Sequence, residues 1–206
     1  MHNPCYLLRS NSLILAGSLA LLFTAPMARA ASSTWSAAPG SANWSDAANW
    51  GGTLPAASGT LSFGNSSVTE LNNDLTDASF VLNSIQFQST APAYVLSGNA
   101  FTLNGNLGNY NTVAQTINNN ITLSNAGQNF TLKADGGDII LGGTVTAAGS
   151  STNLMISGTG ALIIKGTMDL GTGQFNPGVS TILKVDGGNL KGIWGNGSVA
   201  GVPASG

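Results

Sequence analysis

Beyond residue 30 the chain contains no histidine, no cysteine and no arginine. The missing histidine and cysteine exclude the common nucleophile–base pairs and leave carboxylates, lysines and unassisted hydroxyls as the only side-chain chemistry at neutral pH. No disulfide can form in this part of the chain, so stability has to come from packing and backbone pairing. Charge is scarce too: only 7% of residues are Asp, Glu, Lys or Arg. After residue 30, Lys133, Lys165, Lys184 and Lys191 face Asp46, Glu70, Asp74, Asp77, Asp135, Asp138, Asp169 and Asp186, four against eight, for a net charge of −4. Without a basic patch, nucleic acid and anionic membrane surfaces are poor partners. Low charge also gives weak colloidal protection, so the edges of any sheet must be capped or covered.

The first thirty residues have a different composition. Arg9 precedes the apolar run Leu13–Phe23; Pro26 breaks it, and Ala28-Arg29-Ala30 places small residues where a signal peptidase reads. A helix over that run covers only about 16 Å, short of a hydrocarbon core of about 30 Å. Residues 1–30 are therefore expected to be a secretory signal cleaved between Ala30 and Ala31, taking His2 and Cys5 with it.

The rest of the chain is rich in Gly, Asn, Ser, Thr and Ala, with short apolar bursts and no long helical pattern. The bursts are Leu61–Phe63, Phe80–Phe87, Tyr94–Leu96, Phe101–Leu103, Thr116–Ile117, Ile121–Leu123, Phe130–Leu132, Ile139–Leu141, Thr144–Thr146, Leu154–Ile156, Ala161–Ile164, Thr167–Leu170 and Ile182–Val185. Several alternate, as in Phe101-Thr102-Leu103, which places one face inward and one outward. Apolar–Gly–polar–apolar steps recur with glycines at 105, 143, 166 and 188, separated by 38, 23 and 22 residues. Such punctuation predicts an all-β parallel solenoid, or β-helix, with coils of about 20 residues, about eight of them, and an N-terminal cap. An antiparallel β-sandwich is the competing architecture. The expected division is a signal peptide over 1–30, a Trp/Asn-rich cap over 31–66 and solenoid repeats over 67–206, incomplete at the C-terminus.

Leu154–Gly166, with its Ser157-Gly158-Thr159-Gly160-Ala161-Leu162-Ile163-Ile164-Lys165-Gly166 core, resembles the autotransporter-associated β-strand repeat, whose core alternates G-x-G-x-L-x-L-x-G. The segment with Trp35, Asn43-Trp44-Ser45, Asn49-Trp50 and Gly59–Gly64 is similar to the start of the large secreted proteins that carry those repeats. The resemblance implies a bacterial passenger-type solenoid, secreted or on the outer cell surface. Members of that group are longer and end in an outer-membrane barrel or a sorting segment, and the expectation is that this reading frame is a fragment.

Trp35, Trp44 and Trp50 form the sharpest cluster, read either as a platform stacking on glycan rings or as a cap over the first coil. The cap is preferred, because a terminal repeat has to differ from the others. Glu70, Asp74 and Asp77 contain a possible hydrolytic carboxylate pair, yet Leu71-Asn72-Asn73-Asp74 reads as a solvated turn. Asp135-Gly136-Gly137-Asp138 is a weak calcium candidate that lacks a repeated binding spacing. Asn118-Asn119-Asn120 reads as a tight turn whose side chains stack between coils. No catalytic residue, cofactor or metal site is expected. The expected role is a non-enzymatic, adhesin-like structural segment whose partners are extracellular polysaccharide or cell-surface components, with a carbohydrate-binding or polysaccharide-degrading module as the alternative.

Overall fold

The computed structural model describes residues 32–76, 80–124, 129–149, 152–178 and 181–194. The signal segment, the Ala30–Ala31 junction and Asp77 lie outside these residues. Sixteen strands are described: β1 (Ser33–Thr34), β2 (Thr60–Phe63), β3 (Glu70–Asn73), β4 (Val81–Phe87), β5 (Val95–Gly98), β6 (Phe101–Asn109), β7 (Gln115–Ile117), β8 (Ile121–Leu123), β9 (Asn129–Ala134), β10 (Ile139–Leu141), β11 (Thr144–Ala147), β12 (Asn153–Ser157), β13 (Ala161–Ile164), β14 (Thr167–Pro177), β15 (Ile182–Val185) and β16 (Asn189–Trp194). Every pairing between them is parallel, which rules out the antiparallel sandwich.

The chain winds as a three-walled β-solenoid of about five turns. One wall is the six-stranded sheet β3-β5-β7-β10-β13-β15. The other two are joined by strands that bend from wall to wall: β4 shifts register between Leu82 and Ser84, and β14 between Asp169 and Gln174. Along the six-stranded wall Leu71, Leu96, Ile117, Leu141, Ile164 and Val185 stack in one inward column, at intervals of 25, 21, 24, 23 and 21 residues. Phe101, Ile121, Val145 and Met168 form a second column, and Leu61, Ile85, Leu107, Leu132 and Ile156 a third. Apart from Val185, these residues are buried, and they fill the interior as one continuous core.

The coils are longer and fewer than the expected eight of about 20 residues. Each coil needs three walls and three corners, and the segment before β2 makes a cap instead of a complete coil. The stretch Glu70–Asn73, expected to be a solvated turn, is strand β3, with Leu71 and Asn73 buried. Pairing of Leu71 with Leu96 and of Asn73 with Gly98 overrides the turn preference of asparagine. β2, inside the expected cap, already pairs with β4 as a full rung.

Corners obey a simple physical rule. Asn73, Gly98, Asn119, Gly143 and Gly166 succeed one another at the same corner, coil upon coil. A Cβ at Gly166 would overlap the Gly143 carbonyl oxygen, and one at Gly143 would overlap that of Asn119. Where the corner residue is asparagine, its amide takes up the neighbouring backbone. Asn73 Nδ2 donates to Asn99 O at 2.9 Å, and Asn119 Nδ2 to Ser97 O at 2.8 Å and Asn99 O at 2.9 Å. The stacking expected of Asn118–Asn120 is thus carried by the middle residue. Gly105 does not belong to this column. It lies within β6 over the Asn83 carbonyl oxygen, so the 38-residue gap is not two coils.

Two substitutions test the register. Leu162 is fully buried while Lys165 is exposed at the next corner. Leu162→Ala is expected to lower the unfolding free energy by about 2–5 kcal/mol, and Lys165→Ala to leave it nearly unchanged. Urea titration of both variants checks this, and equal sensitivity at the two positions contradicts the register.

Candidate functional site

The N-terminal end of the solenoid is closed by residues 33–50, and its organising side chain is uncharged. A 3-10 helix, Ala47–Trp50, starts at Asp46, whose carboxylate accepts from the Ala48 N–H at 3.1 Å, and ends at Gly51 in the left-handed conformation. Within it Asn49 is fully buried. Its Nδ2 donates to Ser41 O at 3.1 Å, Ser41 Oγ at 3.0 Å and Asn43 O at 2.9 Å, while its Oδ1 accepts from Gly40 N at 3.0 Å. One amide therefore fixes the loop 40–43 that no regular ladder holds.

Around that hub the tryptophans pack inward. Trp35, Trp44 and Trp50 are 2%, 0% and 5% exposed. Trp50 meets Trp35 and Trp44 edge-on, with centroids 5.0 and 5.9 Å apart, and Trp44 continues onto Phe63 and Phe101 at 6.3 Å each. Trp50 Nε1 donates to Trp44 O at 2.9 Å, and Trp35 Nε1 to Val68 O at 3.4 Å. Beside them a shallow depression of about 690 Å³ opens between Ser33, Trp35, Ala48, Trp50 and Asn65. Sugar stacking needs an open ring face, and these rings spend their faces on one another and on the first coils. The glycan-platform reading of Trp35, Trp44 and Trp50 is corrected on that ground.

Asp74 ties this cap to the solenoid. Its carboxylate accepts from Ser45 N at 2.8 Å and from Ser45 Oγ at 2.5 Å, and the adjacent Asn72 N–H donates to Ala42 O at 2.9 Å. Partial burial works to raise the Asp74 pKa, but the bonds from the Ser45 side chain and backbone outweigh it and hold the carboxyl below its ordinary value. Glu70 is exposed and Asp77 is outside the described residues, so no carboxylate pair is assembled among the described residues there. Sequence reasoning missed both Asn49 and the Ser45–Asp74 clamp. The signal it held was the doubled Asn-Trp of Asn43-Trp44 and Asn49-Trp50.

The calcium candidates serve the coils. Asp138 Oδ1 accepts from the Ala161 N–H at 2.8 Å, one coil on, and its carbonyl accepts from Gln115 N at 2.9 Å. Asp135 pairs with Lys133 at 2.9 Å. Gly136 and Gly137 between them pack on the Asn111–Val113 backbone of the preceding coil. Among the described residues no three His, Cys, Asp or Glu side chains gather as metal ligands.

The cap sets two expected outcomes. Trp44→Ala and Trp50→Ala should each cost about 3–5 kcal/mol in urea unfolding; unchanged melting in both contradicts a cap. The Asp74 contribution has a defined pH window: with the folded pKa depressed, it is present above the unfolded value and lost as pH falls through the folded one. The melting difference between wild type and Asp74→Asn should thus be constant near neutrality and close in acid below about pH 4. A difference that persists unchanged there contradicts the clamp.

Comparison of the chain with protein-family models, with curated proteins and with solved structures finds no match.

Proposed function

We propose that this chain is a secreted, non-catalytic β-solenoid segment of a bacterial cell surface, adhesin-like, working through the length and lateral faces of its walls. The observation that carries this reading is the commitment of its carboxylates to architecture. Asp46 caps the 3-10 helix, Asp74 clamps the cap, Asp138 receives the next coil, and Asp135, Asp169 and Asp186 sit in ion pairs with lysines. A hydrolase or lyase needs a carboxylate poised at a reacting bond, with a pKa tuned to that task. The shifted carboxyls here, Asp74 and Asp169, move downward, away from general-acid work. The signal-like residues 1–30 and the lack of cysteine after them support the extracellular assignment.

Two measurements test it. Incubated with plant and algal polysaccharides, the protein is expected to release no reducing ends; release overturns the non-catalytic reading. Replacing Leu15, Leu19 and Leu22 by Asp is expected to trap the chain in the cytoplasm, while exported wild type begins at Ala31 by mass spectrometry. Exported protein that retains Met1 contradicts cleavage.

A further inference from the structure

The wall formed by β2, the second half of β4, the second half of β6, β9 and β12 carries an aromatic side chain that the core does not use. Tyr110 comes directly after β6 and is 38% exposed. Its ring folds back over its own strand: a Cβ added at Gly108 would lie 2.7 Å from Cε2 and 2.9 Å from Cζ and Oη. Gly108 is thus the one residue type that lets the phenol rest against the sheet.

The ring's support is rigid. Tyr110 N donates to Phe87 O at 2.8 Å in the coil before. The next residue, Asn111, donates through Nδ2 to Ser89 O and Ala91 O at 2.7 Å each, and its carbonyl accepts from Gly137 N at 2.6 Å in the coil after. An exposed ring on a backbone pinned from both sides has lost little freedom that binding would have to remove.

Polar groups flank the ring on both sides. In register with Gly108 stand Gln86 one coil before and Lys133 one coil after. Gln88 Nε2 lies 3.4 Å from Gln86 Oε1. Lys133 Nζ sits 5.2 Å from the Tyr110 centroid and 2.9 Å from Asp135, both side chains well exposed. The three rungs spread amide, phenol, ammonium and carboxylate over roughly 10 Å along the solenoid axis, the length of a short oligosaccharide. The lysine and aspartate cancel in charge, which leaves nothing here to select an anionic or cationic ligand.

We propose that Tyr110, with Gln86, Gln88, Lys133 and Asp135, forms a binding site for a neutral β-linked glucan chain running along the solenoid axis. Equatorial hydroxyls leave such a sugar with a C–H face that stacks on the negative face of the phenol ring. The same hydroxyls then point sideways, toward the glutamine amides and the Lys133–Asp135 pair, which offer both donors and acceptors. The competing role for Tyr110 is cover for a strand glycine and nothing more.

Affinity electrophoresis of the full chain through native gels containing hydroxyethyl cellulose, with α-linked pullulan as control, separates the two. Wild type should be retarded by hydroxyethyl cellulose and not by pullulan. Tyr110→Ala should weaken retardation about tenfold, the scale of one lost stacking contact, whereas Tyr110→Phe should retain it. Lys133→Met should weaken it about threefold, the scale of one exposed hydrogen bond, with melting unchanged. If Tyr110→Ala does not fold, Lys133→Met and Gln88→Ala decide the matter by the same loss. Wild type that runs unretarded, or variants retarded as strongly as wild type, overturn the site, and neither outcome touches the non-catalytic reading.

Discussion

Backbone pairing between successive coils is the constraint on which everything else depends. A parallel solenoid satisfies its N–H and C=O groups only if each turn of chain returns to the same place one strand spacing further on. That requirement fixes which residues can stand at a corner, because corners approach each other as closely as strands do. At the corner between the six-stranded wall and the next, Gly143 and Gly166 meet the demand by having no Cβ, and Asn73 and Asn119 meet it by donating to the neighbouring carbonyls. Coil length varies from 21 to 25 residues without breaking the inward columns, since bends such as Leu82–Ser84 absorb the difference.

The same constraint creates a problem at the first coil, where strand edges and a large apolar cross-section have no neighbour below. The tryptophan layer answers it. Three indoles cover the area, Asn49 holds the loop that carries them, and Asp74 fastens that loop to β3. Residues that look chemical in isolation, a tryptophan cluster and an acidic stretch, are thereby parts of one closure. The lateral walls are left as the surfaces available for contact, and Tyr110 is the aromatic that stands on one of them.

Much of the coil interior was legible. The bursts Ile139–Leu141, Ala161–Ile164 and Ile182–Val185 coincide with β10, β13 and β15, because inward positions alternate with polar ones and glycines mark the breaks. β3 was not legible. Glu70-Leu71-Asn72-Asn73 has one apolar residue and two turn formers, and only pairing with β5 makes it a strand. The bent second halves of β6 and β14 were missed for a related reason. Gly105, Gly171 and Gly173 interrupt the apolar pattern in sequence, while the backbone ladder continues past the bend.

Local pattern was enough for the all-β class, the parallel stacking, the inward columns and the need for an atypical N-terminal segment. These rest on alternation and glycine spacing, which act within a few residues. The work of the polar residues emerged only with the folded chain. Asn49, Asp74, Asn119 and Asp138 take their roles from backbone groups 8 to 29 residues distant in sequence. No local pattern encodes the longer of these distances, because they are set by how many residues each corner uses before the chain comes round again.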